Sequence, residues 1–226
     1  MSQGPLLLAG SGEFTDAMRD IDRYFLRPIH NPMVAIIPTA AGQERKWWKW
    51  VDDGTRYYEK LGISSIGIPL RTPSDAKKQS VIDVLGKANA YYFSGGDPGY
   101  VLSTIQDSPA WETIYSRFRE GAALAGSSAG AMLLGSWIPA NIRSVFFQDG
   151  KGPGWTKALG LVPYTIWPHF DWGLKTFKDK IERSMNEAPE EVKTNWLGID
   201  ENTAVIWNGN EKPVVIGRGK AHWGKI

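Results

Sequence analysis

Residues 122–132 read AALAGSSAGAM, and the reading of the two serines at its centre decides what kind of fold surrounds them. Ala122–Ala125 is a compact run of small apolar residues, as expected of a strand buried on both faces, and Ala129–Leu134 has the composition of a helix start. Only two or three residues connect them, so the chain must turn sharply from strand to helix. Such a nucleophile elbow requires small residues two positions before and two positions after the exposed serine, because neighbouring backbones approach too closely for side chains. Ser128 has Gly126 and Gly130 at those places, whereas Ser127 has Ala125 and Ala129. The register therefore selects Ser128 as the candidate nucleophile. The same turn aims the Ala129 N–H and the following helix N-terminus at the site, where they can stabilise an oxyanion.

Working outward, short apolar runs recur at Leu6–Ala9, Val34–Ile37, Ile66–Ile68 and Ala90–Phe93, each bounded by Gly, Pro or polar residues. Between them lie segments with helical composition, over Phe14–Leu26, Glu44–Leu61, Asp75–Ala88 and Gly99–Glu120. Strand and helix in alternation predict an α/β fold of three layers, a mostly parallel central sheet with helices on both sides. After residue 195 the pattern changes to WLGIDENTAVIWNGNEKPVVIGRG, where Asn208-Gly209 separates two strand-like runs and predicts a C-terminal antiparallel hairpin at the sheet edge. In such a sheet the ligand crevice lies beyond the carboxyl ends of the strands. Five segments qualify: Gly10–Glu13, Thr39–Glu44, Ser94–Gly99, Gly126–Met132 and Pro168–Trp172.

The chain has 226 residues, 42% of them hydrophobic, and no shift in composition along its length, so a single domain spanning 1–226 is expected. A net charge of +2, from 26 basic and 24 acidic residues spread along the chain, argues against nucleic acid as a partner. The absence of cysteine removes disulfides, thiolate metal sites and a cysteine nucleophile together, which fits a cytoplasmic protein. The apolar run near the start is too short for a signal peptide or a membrane span, so no membrane association is expected. The 11 tryptophans, several within RKWWKWVDD at 45–53, read first as packing residues.

A serine nucleophile needs a base, and three histidines are available. His30 lies in a Pro-bounded loop and His222 near the end of the sequence, but His169 follows the strand-like Tyr164–Trp167 and falls at the crevice. The acid that would orient it is open among Asp149, between nucleophile and base in the chain, Asp171, two residues past His169, and the pair Asp200 and Glu201. Gly95-Gly96, just after a buried strand, can present a backbone N–H to the nucleophile. Neither a G-x-x-x-x-G-K-[ST] nor a G-x-G-x-x-G motif is present, so nucleotide binding is not expected.

Six segments, LAGSGEF, IIPTAA, YYFSGGDPG, GSSAGAM, ALGLVPYTIWPHF and LGIDENTAVI, occur in an order that resembles the serine peptidase family of aspartyl dipeptidase (peptidase E) and cyanophycinase. That resemblance implies a fold like the class I glutamine amidotransferases, with Ser128 as nucleophile, His169 as base, and Gly96 and Ala129 as oxyanion-hole donors. It maps the acid approximately onto Asp149, while the amidotransferase arrangement keeps Asp171 in view. No metal or other cofactor is implied. Family members acting on aspartyl substrates look rich in arginine after the His-Phe pair, but here Asp171, Trp172 and a lysine-rich run follow, with Arg183 the one nearby arginine. Asp171, Trp172 and Arg183 are the candidate substrate-binding residues. The expected function is a serine exopeptidase acting on short peptides, possible as a homodimer. The alternatives are a cyanophycinase-like isoaspartyl peptide hydrolase and a non-catalytic peptide- or sugar-binding member of the same fold.

Overall fold

The computed structural model describes residues 3–147, 152–209 and 211–224. Its central sheet has seven strands: β1 (Leu6–Ala9), β2 (Met33–Ile37), β3 (Ser64–Gly67), β4 (Ala90–Phe93), β5 (Ala123–Ser127), β10 (Thr203–Trp207) and β11 (Val214–Gly217), in the order β11-β10-β1-β5-β4-β2-β3. The five strands from β1 to β3 run parallel, and β10 and β11 add an antiparallel hairpin beside β1. A two-stranded ribbon pairs β6 (Trp137–Pro139) with β7 (Trp155–Lys157), and a three-stranded sheet joins β8 (Thr165–Trp167), β9 (Trp196–Ile199) and β12 (Ala221–Gly224). The expected parallel sheet and terminal hairpin are both present.

The core explains why the inner parallel strands read as apolar runs, whereas β3, at the sheet edge, alternates exposed and half-buried residues. Successive side chains of a strand point to opposite faces. Leu6, Leu8, Ala35, Ile37, Tyr91, Phe93 and Leu124 pack into one layer, while Leu7, Ala9, Val34, Ile36, Tyr92, Ala123 and Ala125 pack into the other. Each large side chain buried in this way contributes about 1.5–3 kcal/mol. Helices cover both faces, α1 (Arg19–Leu26) and α2 (Trp48–Lys60) on one and α3 (Gln79–Leu85), α4 (Pro98–Ile105), α5 (Pro109–Arg119) and α6 (Ala129–Leu134) on the other, followed by α7 (Ile142–Phe147), α8 (Phe170–Asn186) and α9 (Glu190–Thr194). The expected single helix over Gly99–Glu120 is two. Asp107 takes φ 55°, the Ser108 hydroxyl accepts the Trp111 N–H at 3.2 Å, and Pro109 occupies the first turn of α5. A capping serine followed by proline starts a new helix because proline cannot donate into the preceding one.

One buried acid has no charge partner among the described residues. Asp22, on α1, is fully buried and accepts a hydrogen bond from the Tyr57 hydroxyl at 2.6 Å. Burial pushes its carboxyl up to about 7, against the lowering effect of that hydrogen bond and with a smaller raising effect from Glu13. In the unfolded chain it ionises near 3.8, so between these values the unfolded state releases a proton that the folded state keeps, and stability falls as pH rises. Asp22→Asn removes that loss while keeping an acceptor for Tyr57. The variant is expected to match the parent near about pH 4 and to exceed its stability by a few kcal/mol near about pH 8. Thermal unfolding of both proteins across that range checks the divergence.

Candidate active site

The site forms where β5 passes into α6. Ser128 has φ 51° and ψ −117°, a conformation L-residues avoid, and two close backbone approaches enforce it. A Cβ on Gly126 would lie 2.3 Å from the Gly130 carbonyl oxygen, and a Cβ on Gly130 would lie 2.3 Å from that of Phe93. The elbow is held from below by the Ser128 N–H, which donates to the Ala9 carbonyl at 3.1 Å. The two serines consequently diverge. Ser127 Oγ donates to Glu13 Oε2 at 2.6 Å, whereas Ser128 Oγ lies 2.9 Å from His169 Nε2.

His169 stands at the N-terminus of α8, and it too has a left-handed backbone, φ 51° and ψ 35°. Its N–H donates to the Gly10 carbonyl and its carbonyl accepts from Gly173, which anchors the residue between β1 and α8. The other ring nitrogen, Nδ1, is hydrogen-bonded to Glu201 Oε1. Glu201 Oε2 accepts from the Ser11 hydroxyl at 2.9 Å, and Ser11 Oγ in turn accepts the Asn202 N–H at 3.0 Å. The loop between β9 and β10 is fixed further by Asp171, whose Oδ1 accepts the Glu201 N–H at 2.9 Å. Burial opposes charge on Asp171, but the N–H groups of Glu201, Trp172 and Asp171 itself, with Lys175 nearby, outweigh it and hold the carboxyl below its usual range. Asp171 thus positions the Glu201 backbone.

The expected acid, Asp149, lies outside the described residues, and the carboxylate on His169 Nδ1 is that of Glu201. Asp200, its neighbour, turns away to the Lys220 N–H and His222 Nε2. His30 is exposed beside Asn31. Gly96 and Ala129 both line the cavity over Ser128. The Gly95 N–H donates to Glu13 Oε1 at 2.9 Å, so one carboxylate holds both the Gly95 turn and Ser127. Ser11 and Glu13 belong to a segment expected at the crevice, but their partners stand between 82 and 191 residues away. Trp172 lines the cavity, its ring centroid 6.1 Å from that of His169. Arg183 is exposed on α8 and is not among the lining residues. Among the described residues no group of three or more His, Asp or Glu could hold a metal ion, and no helix is long and apolar enough to cross a membrane.

A hydroxyl on a constrained elbow, an imidazole within hydrogen-bond reach and a carboxylate on the far ring nitrogen form an arrangement suited to nucleophilic attack on a carbonyl. The chain is 25% identical over 193 residues to a cyanophycinase of Geminocystis herdmanii, covering 83% of this chain and 67% of that protein. It spans about half the length of the other cyanophycinases it matches. A peptidase E of Salmonella arizonae is 28% identical over 188 residues, 78% of this chain and 77% of that one. Among solved structures, a peptidase from an acI-B1 Actinobacterium superposes with a TM-score of 0.86 at 30% identity, over 99% of this chain and 91% of the other. The model of the family described as Peptidase family S51 matches residues 6–215, and the chain belongs to that family of serine-type peptidases.

Proposed function

We propose that this protein is an exopeptidase of short peptides, with Ser128 as nucleophile, His169 as general base and acid, and Glu201, in the role expected of Asp149, as the group that orients the imidazole. The observation that carries the reading is the His169 ring, hydrogen-bonded to Ser128 through one nitrogen and to Glu201 through the other. Glu201 accepts Nδ1–H, which leaves Nε2 unprotonated and able to take the serine proton. As Ser128 Oγ bonds to the substrate carbonyl carbon, the carbonyl oxygen becomes an oxyanion, for which the Gly96 and Ala129 N–H groups are the donors. His169 then passes the proton to the leaving amine, the C–N bond breaks and an acyl-enzyme remains. Water attacks the ester, its proton goes to His169 and then to Ser128 Oγ, and the free acid departs.

A cavity of about 500 Å³ over Ser128 suits a dipeptide or tripeptide better than a segment of a folded chain. The test is a fluorophosphonate probe, which forms a stable adduct with an activated serine. Labelling of the parent that disappears in Ser128→Ala is the expected result. A properly folded parent that takes no label would replace catalysis with simple ligand binding on the same fold.

A further inference from the structure

The walls of the cavity state which side chain it takes. From the catalytic histidine an unbroken row of rings runs along one side. The Trp172 centroid is 6.1 Å from His169, Phe177 is 5.3 Å from Trp172, and Phe146 is 5.2 Å from Phe177, each pair meeting nearly edge to face. Met132 of α6 and Ile181 of α8 also line the space. The row depends on local backbone: α8 breaks its helical geometry at Phe177 (φ −134°, ψ 28°), the residue whose ring bridges to α7. Lys180, one turn further along α8, donates to the Phe146 carbonyl at 2.9 Å and ties the two helices together.

Among the described lining residues charge is sparse and already engaged. Glu201 is held by His169 and Ser11. Arg143 is the one cationic side chain among the described lining residues, and it lies 3.6 Å from Glu44 at the exposed rim. An acidic substrate side chain entering between the rings would shed its hydration without gaining an ion pair, which is strongly unfavourable. A large apolar side chain entering the same space sheds only ordered water and gains contact with polarisable ring edges.

Resting on the peptidase reading, we infer that the preferred substrate carries a large apolar or aromatic residue beside the scissile bond, and that an acidic residue there is disfavoured. The site takes Phe, Leu or Trp side chains; Asp is disfavoured by the same walls.

The experiment compares Phe-Ala, Ala-Phe, Ala-Ala, Asp-Ala and Ala-Asp, with active sites counted by the fluorophosphonate probe. The better Phe dipeptide should exceed Ala-Ala in kcat/KM by roughly 10- to 200-fold, the range that hydrophobic pockets achieve, and both Asp dipeptides should fall below Ala-Ala. Phe177→Ala should narrow the Phe-to-Ala ratio by about tenfold, and Phe146→Ala, which leaves the α8 break untouched, should narrow it in the same direction. Calorimetric binding of the same dipeptides to Ser128→Ala reads the preference independently of turnover. An enzyme that takes the label but binds Asp dipeptides as well as or better than Phe dipeptides would overturn the inference and leave the peptidase reading standing. Absence of label with tighter binding of Phe dipeptides would do the reverse.

Discussion

Replacing Ser128 with alanine is expected to lower turnover by roughly 10⁴- to 10⁶-fold, because the group that forms the acyl-enzyme is gone and only binding and oxyanion stabilisation remain. The neighbouring Ser127→Ala supplies the contrast. Its hydroxyl does not face His169; it donates to Glu13, which also holds the Gly95 turn. Losing it loosens the support of the oxyanion loop, and a cost of about tenfold is expected, in keeping with an indirect effect on geometry. Both variants should be assayed at saturating peptide with matched thermal unfolding curves. The opposite ranking, Ser127→Ala dead and Ser128→Ala active, would reverse the assignment of the elbow.

The second large effect belongs to the acid. Glu201→Gln keeps the shape of the side chain and the Ser11 contact in reach, but its amide can donate to Nδ1. That stabilises the tautomer whose Nε2 already carries hydrogen and cannot accept the serine proton. Turnover should fall by roughly 10² to 10⁴. Asp171→Asn, which touches the reaction only through the Glu201 N–H, should cost about tenfold or less. Asp149→Asn, at the position that chain order and the family resemblance both favoured, should be nearly silent. Steady-state kinetics of the three variants at saturating substrate separates them. A collapse in Asp149→Asn beside a near-normal Glu201→Gln would return the role to Asp149.

The contrast between Ser128 and Glu201 marks what a sequence can disclose. The elbow was legible because it is local: a strand, two glycines in register and a helix start occupy adjacent residues, and steric necessity ties each to the next. The parallel strands were legible for a similar reason, since burial on both faces leaves nothing but apolar residues from Leu6 to Ala9 or Ala90 to Phe93. The break at Ser108-Pro109 was equally local but was hidden inside a long helical pattern on both sides. The acid was another matter. Glu201 reaches His169 only because β10 pairs with β1 and Asp171 holds the intervening loop. No spacing along the chain distinguishes it from Asp200 beside it, which folds to the opposite side. Ser11 and Glu13 were hidden in the same way, since their roles depend on partners brought close by the sheet.

Ser128 and His169, the proposed nucleophile and base, both sit on left-handed backbone that costs of order 1–3 kcal/mol at each residue and that the surrounding packing must impose. Glycine would occupy either position with less strain, and asparagine would suit His169. The most readily stabilised descendants of this sequence are therefore inert ones. Under a selection that rewards persistence at high temperature and ignores hydrolysis, positions 128 and 169 would be among the first to drift, leaving a sturdier lineage with the same fold and no chemistry.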